Sequence, residues 1–312
     1  MIPLAKLDRM KQDQIILKPF FYIYEVPSIF HKTIVLAFND WLNAPEDKVN
    51  KIEEITRYTH TTTLILDDIQ DNSDYRYGSP SAHRVYGIGL SINALYSALG
   101  ILFKKVAVLD HPKALEIYLN AYEDAFRGQG IELYWRDKFL CPTEEEYIDM
   151  LKQKSSNMLV GIVQLLQLFS DRTENYQEVA IMIGVYYSLR DDYCNLFNRE
   201  SLKSLADNPN AENIHGDSDI TDGKFTLPII HSLQTSDNAE EIMNILKQRT
   251  SDLKLINHCI SLLEKNGSAK YSEDILRRME NDIENEINRL GGNPKLALII
   301  EQLRTWRRNH EE

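Results

Sequence analysis

The hydrophobic positions of this chain recur mostly at helical spacing. In "PEDKVNKIEEITRYTHTTTLILDDIQD", Val49, Ile52 and Ile55 stand three apart, which puts them on one face of a helix that starts after Pro45. Tyr271, Ile275, Met279, Ile283 and Ile287 recur every fourth residue, and Gly291-Gly292 supplies the stop for such a helix. "HPKALEIYLNAYEDAFRGQGIELYWRD" and "TEEEYIDMLKQKSSNMLVGIVQLLQLF" read as two further helices. The second has Thr143 as its cap and an acidic first turn, which suits the helix dipole. No segment alternates convincingly with the period of two that a half-buried strand needs. The pattern predicts an all-α fold. Without an internal repeat or low-complexity tract to divide it, residues 1–312 are expected to form a single helical domain.

Two stretches depart from the amphipathic pattern. Val85 to Phe103 carries no charge and is long enough to span a bilayer. Gly87, Gly89, Ser91, Asn93, Ser97 and Gly100 dilute its hydrophobicity, so a fully buried central helix is expected and no transmembrane segment. Arg199 to Lys224 is rich in Ser, Asn, Asp and Gly and long for a helix connection. It reads either as a solvated surface loop or as a lid or binding loop.

Charge narrows the choice of partner. The net charge of −12 argues against nucleic acid, because phosphate backbones need a basic face. It leaves room for an anionic ligand bridged by divalent metal. Cys141, Cys194 and Cys259 are scattered, with no CxxC pair, so neither a disulfide framework nor structural zinc is expected. "MIPLAKLDRMKQDQ" has neither the apolar run of a signal peptide nor the bias of a transit peptide, and a cytoplasmic location is the expectation.

Against this background, two acidic clusters stand out. Asp67, Asp68 and Asp71 follow the apolar "TLIL", and Asp191, Asp192 and Asn195 follow "VYYSL". Residues four apart share a helix face, so Asp67 points with Asp71 and Asp191 with Asn195. Like charges at that spacing destabilise a helix by roughly a few tenths of a kcal/mol. One such turn reads as a solvated helix face. Two, each after an oily run, suit the mouth of an apolar cavity in which Mg²⁺ takes carboxylate and phosphate oxygens together. Arg76, Lys154 and Lys224 are the cations placed to assist. Lys154 is the most informative, because it opens the uncharged run "SSNMLVGIVQLLQLF".

These clusters, with "GQGIELYWRD", "CPTEEEY", "DITDGKFTLPIIHSL" and "RLGGNP", resemble the trans-isoprenyl diphosphate synthases, specifically the geranylgeranyl diphosphate synthase branch, over nearly the whole chain. The resemblance implies an isoprenoid synthase-type helical bundle with a central active-site cavity, a prenyl diphosphate substrate, and a homodimer or higher homo-oligomer. It implies that Asp67, Asp71 and Asp191 ligate a trio of Mg²⁺ ions. Arg76, Lys154 and Lys224 would contact the allylic diphosphate, with Ser155 in place of a family threonine. Asp68, Phe126 and Tyr187 complete the expected substrate site.

The chain also departs from that family pattern, on the side that would hold isopentenyl diphosphate. Where the family reads Gly-Lys-Gln-x-x-Arg, this chain has Ser28, Ile29 and Phe30, then Lys32 for arginine. Where the family has paired arginines, Arg76 is followed by Tyr77. A family Phe-Gln has become Tyr187-Ser188, and a His-Gln has become Phe126-Arg127, while His60 remains. Losing such cations costs roughly 3–6 kcal/mol of phosphate binding, at roughly 1.5–3 kcal/mol for each charge-assisted hydrogen bond. The expectation is therefore a class I terpene synthase of the insect type. It would ionise an allylic diphosphate, geranylgeranyl before farnesyl or geranyl, because Thr61, Thr62 and Thr63 above the first cluster are small. Phe30, Phe126, Tyr186 and Tyr187 are candidates for stabilising the cation. Two alternatives stay open: a chain-elongating synthase, and an inactive subunit that regulates one.

Overall fold

The computed structural model describes residues 9–26, 30–198 and 219–307. They form α1 (Arg9–Ile16), α2 (Lys18–Tyr24), α3 (Phe30–Leu42), α4 (Glu46–Asp71), α5 (Ala82–Tyr86), α6 (Ile88–Ala107), α7 (Ala114–Lys138), α8 (Glu144–Leu151) and α9 (Asn157–Gln167). The series continues with α10 (Gln177–Phe197), α11 (Asp219–Asp222), α12 (Leu227–Thr235), α13 (Ala239–Gln248), α14 (Leu253–Lys265), α15 (Ser268–Arg289) and α16 (Pro294–Leu303). A two-stranded hairpin, β1 (Tyr75–Arg76) and β2 (Ser79–Pro80), is the exception to the all-α pattern among the described residues.

The predicted start at Pro45 holds, with Glu46 and Asp47 in the first turn of α4 and Val49, Ile52 and Ile55 buried. The lower half of α4 is rich in threonine, which is a poor helix former when its hydroxyl competes for the backbone. Here Thr56, Thr59, Thr61, Thr62 and Thr63 turn their hydroxyls back onto carbonyls three or four residues earlier. Their polar atoms are thereby satisfied inside the bundle. The helix ends where Asn72 adopts a left-handed conformation.

Around α4 pack α2, α3, α6 and α9; α7 lies against α6, α8 and α9, and α10 against α9, α12 and α15. Thr143 caps α8 in a reciprocal box with Glu146, as the sequence predicts. The helix that ends at Gly291-Gly292 is α15, and both glycines have positive φ.

Three expectations change. The stretch from Thr143 is not one helix: α8 and α9 are joined by a π turn, Lys152–Ser156. The uncharged stretch is broken at Gly87, whose φ is 81°, and α6 is not fully buried. Ser91, Ala94, Leu95, Ala98, Leu99, Leu102 and Val106 face inward, whereas Ile88, Leu90, Ile92 and Tyr96 are exposed, Tyr96 by 68%. Apolar residues on every face buried only the side that meets α2, α4, α5 and α7. By length and composition α6 is the one described helix that could cross a membrane. As for the polar stretch Arg199 to Lys224, residues 199–218 lie outside those described, and its end forms α11 and delivers Lys224.

Candidate active site

The first acidic cluster occupies the last turn of α4, and the hairpin after it folds one cation back. Tyr75 pairs with Pro80 and Arg76 with Ser79, leaving Tyr77-Gly78 as a two-residue turn. Both turn residues have positive φ, 54° and 75°, as a hairpin turn that matches strand twist requires. A tyrosine tolerates that conformation poorly, so the hairpin holds Tyr77 under backbone strain. The turn aims Arg76 at the acids. Its Nε donates to Asp68 Oδ1 at 2.8 Å, and its Nη2 lies 3.2 Å from Asp67 Oδ2.

From α7, Gln129 Nε2 donates to Asp67 Oδ1 at 3.2 Å and to Gln70 Oε1 at 3.1 Å. Arg136, almost fully buried, donates from Nη1 to Asp71 Oδ1 at 2.5 Å and from Nη2 to the Gln70 carbonyl at 3.2 Å. Lys224 Nζ reaches Asp71 Oδ2 at 2.5 Å and Asp222 at 3.2 Å.

Lys154 and Ser155 sit in the π turn. Two glycines admit that turn. A Cβ on Gly128 of α7 would lie 2.6 Å from the Lys154 nitrogen, and one on Gly184 of α10 would lie 2.6 Å from Ser156 Cα. The wider turn is thus pressed between α7 and α10, and π turns of this kind recur at functional sites. Lys154 Nζ pairs with Glu132 of α7 at 2.5 Å, and Ser188 Oγ donates to Ser155 Oγ at 2.8 Å.

On α10, Asp191 Oδ1 accepts from Arg190 Nη1 at 3.0 Å, and Asp192 accepts from the Tyr147 hydroxyl. Tyr77 lies within electrostatic reach of Asp68, Asp191 and Tyr187, so the hairpin spans from the first cluster to the second.

Burial and charge compete across this region. Burial opposes ionisation of Asp67, but the positive charges of Lys224, Lys154 and Arg76 together outweigh it and hold the carboxyl below its ordinary range. Burial prevails at Asp68, pushed up to about 6 despite Arg76, and at Asp219, pushed up to about 7 despite Lys224. It also raises Asp192 well above the ordinary carboxylate, with help from Asp219, and raises Asp191 against the pull of Arg190. The charge of Asp191, then burial, raises the Tyr187 hydroxyl.

The predicted residues Asp67, Asp68, Asp71, Arg76, Lys154, Ser155, Tyr187, Asp191 and Lys224 thus fall in one electrostatically connected region. Sequence reading missed Gln129, Glu132 and Arg136, which lie on one face of α7 at helical spacing, and also Tyr147, Asp219 and Asp222. Phe126 packs on Tyr122, with ring centroids 4.4 Å apart, and Arg127 sits at the surface beside Glu123. Tyr186 is wholly buried against Trp306 and donates to Glu280, which makes it core. The Tyr77 hydroxyl and His60 Nε2 share a hydrogen bond at 3.2 Å, and Lys32 is exposed. Ser28, Ile29 and the Phe30 side chain lie outside the described residues.

Among the described residues no three His, Cys, Asp or Glu side chains already converge as a metal cage. Mg²⁺ does not require one: it binds through one or two carboxylates and completes its shell with water and phosphate oxygens. The donor set fits, with hard oxygens on two helices, Asp67 kept ionised, and buried Oδ2 atoms of Asp68 and Asp219 without a hydrogen-bond partner.

An all-helical bundle carrying two acidic helix turns and a set of paired cations defines an isoprenoid synthase fold. A family model described as polyprenyl synthetase matches residues 14–263. A terpene synthase of Matsumurasca onukii is 39% identical over 297 residues, 95% of either chain. Geranylgeranyl pyrophosphate synthases of Mucor circinelloides f. lusitanicus and Dictyostelium discoideum are 35% and 34% identical, over 96% and 94% of either chain. The chain belongs to the polyprenyl synthetase family.

Proposed function

We propose that this protein is a class I terpene synthase that converts one allylic prenyl diphosphate, geranylgeranyl diphosphate foremost, to a terpene hydrocarbon or alcohol and diphosphate. One observation carries the reading: Tyr77, with its hydroxyl on His60, stands where the family resemblance expects a second phosphate-binding arginine. The similarity to a protein named terpene synthase supports it.

Mg²⁺ held by Asp67, Asp71 and Asp191 would supply Lewis-acid charge to the leaving diphosphate. Arg76, Lys154 and Lys224 exchange their carboxylate partners for phosphate oxygens and neutralise the charge that grows there as the C–O bond breaks. The Tyr187 ring stands beside the second cluster, where it stabilises the allylic cation. Proton loss to the released diphosphate, or capture of water, ends the reaction. A homo-oligomer belongs to the same proposal, supported by the exposed apolar row Ile88, Ile92 and Tyr96 on α6.

The second reading is a chain-elongating geranylgeranyl diphosphate synthase, favoured by the relatives of that name at 34–35% identity over nearly the whole chain. Purified protein with Mg²⁺ and a single prenyl diphosphate separates the two, with products identified by gas chromatography–mass spectrometry. A terpene formed without isopentenyl diphosphate, and unchanged by adding it, is the expected result. A longer prenyl alcohol, seen only when isopentenyl diphosphate is present, would refute the first reading and establish the second.

A further inference from the structure

Arg190 is wholly buried, although it precedes an acid that is a third exposed. A buried guanidinium is costly unless its donors are placed. Those of Arg190 connect two distant parts of the chain. Nη1 donates to Asp191 Oδ1 at 3.0 Å, Nε to the Leu303 carbonyl at 3.2 Å, and Nη2 to Thr305 Oγ1 at 3.2 Å. The guanidinium is a rigid planar fork, so fixing Nε on the last residue of α16 and Nη2 on the C-terminal turn that follows fixes the direction of Nη1 as well.

That turn, Arg304–Arg307, is itself anchored. Trp306 is wholly buried, donates from Nε1 to Glu280 Oε1 at 3.0 Å, and meets the Tyr193 ring edge-on at 5.4 Å. Asn198 Nδ2 donates to the Trp306 carbonyl at 3.1 Å. Glu280, also fully buried, accepts from the Tyr186 hydroxyl at 2.6 Å and faces Arg304 and Arg307. The acidic end of α10, the middle of α15 and the C-terminal turn are therefore one packed body, and Arg190 is its link to Asp191.

We propose that Arg190 is a positioning residue: the C-terminal turn orients its guanidinium, and the guanidinium orients the Asp191 carboxylate toward Mg²⁺ and diphosphate. This rests on Asp191 serving as an Mg²⁺ ligand; it holds equally for a terpene synthase or a chain-elongating one. Outer partners that aim metal ligands typically govern about 10- to 100-fold in metal affinity.

The test uses the full chain and inorganic diphosphate, with binding followed by titration calorimetry as Mg²⁺ is varied, and folding checked by circular dichroism and Tm. Arg190→Lys keeps the charge and loses the fork. It is expected to raise the half-saturating Mg²⁺ concentration about 10-fold or more, with diphosphate affinity at saturating Mg²⁺ unchanged. Thr305→Val, which removes one anchor of the fork, should shift it in the same direction by less. Should Arg190→Lys fail to fold, Thr305→Val decides alone. A folded variant with a lowered Tm and wild-type Mg²⁺ dependence would mean that Arg190 only stabilises the fold, and would overturn the proposal. Asp191→Asn is the companion measurement. If it too leaves the Mg²⁺ dependence unchanged, the ligand role of Asp191 fails, and the positioning role fails with it.

Discussion

Replacing Gly128 by alanine is the sharpest test of how the site is held. The added methyl would sit 2.6 Å from the Lys154 nitrogen and 2.9 Å from both Lys154 Cα and the Met150 carbonyl oxygen, where ordinary contacts begin at 3.4 Å. All three atoms are backbone of α8 or the π turn, so no side chain can swing aside. The turn must retreat by about 0.8 Å, carrying Lys154 and Ser155 with it. Overpacking of this kind costs roughly 1–3 kcal/mol of stability. A displacement near 1 Å in a group that aligns the reacting bond costs up to about 100-fold in rate. We therefore expect Gly128→Ala to lower Tm by several degrees and kcat by about 10- to 100-fold. Gly130→Ala is the matched control two residues on, because nothing lies within 4 Å of its added methyl. It should leave kcat unchanged and add about 0.5–1 kcal/mol of helix stability. Wild-type kcat and Tm in Gly128→Ala would refute the account of the π turn.

The remaining expectations are simpler. Asp68 and Asp219 titrate near 6 and 7 in the fold against an ordinary 3.8, so the stability they contribute is full below about pH 4 and lost as pH rises through those values. In EDTA, Tm should fall from about pH 4 to about pH 7, and Mg²⁺ with diphosphate should restore it; a Tm that rises across that window would count against the burial of these acids. Asp67→Ala should abolish turnover of the prenyl diphosphate, and near wild-type product formation would remove Asp67 from the metal site. Thr143→Ala removes the capping box of α8 and should cost about 1 kcal/mol in urea unfolding with kcat unchanged.

What could be read from the sequence was what the chain encodes locally. The start of α4 at Pro45, the Thr143 cap and the Gly291-Gly292 stop are decided by neighbouring residues. The acidic turns were legible because clustered like charge is costly and calls for a cause. The π turn was not, since "KQKSS" contains no helix breaker and its cause lies in glycines on two other helices. Glu132 and Arg136 lie within "GQGIELYWRD", where nothing local distinguishes them from surface charges. Their spacing from Gln129 along one face of α7 was the signal available. For α6, composition could not tell a helix buried all round from one that leaves an apolar face exposed.

Charge balance ties the paired cations to the number of substrates. Among the described residues the region gathers the carboxyls of Asp67, Asp68, Asp71, Glu132, Asp191, Asp192, Asp219 and Asp222 around Arg76, Arg136, Lys154, Arg190 and Lys224. Each of those five cations already touches a carboxylate. Burial first, and neighbouring carboxylates after it, raise Asp68, Asp192 and Asp219, so protons relieve part of the excess of acid. A bare diphosphate would add to that excess. One that arrives with Mg²⁺ brings its own neutralisation and lets carboxylates exchange lysine and arginine for metal. A second diphosphate, held without metal, would need cations that are not already committed. At the position of Tyr77 stands a phenol hydrogen-bonded to His60 where a second guanidinium would supply such a cation. That balance is the physical basis of the function proposed above: on that proposal the site takes one metal-borne anion, and the allylic cation is met by its own double bonds or by water.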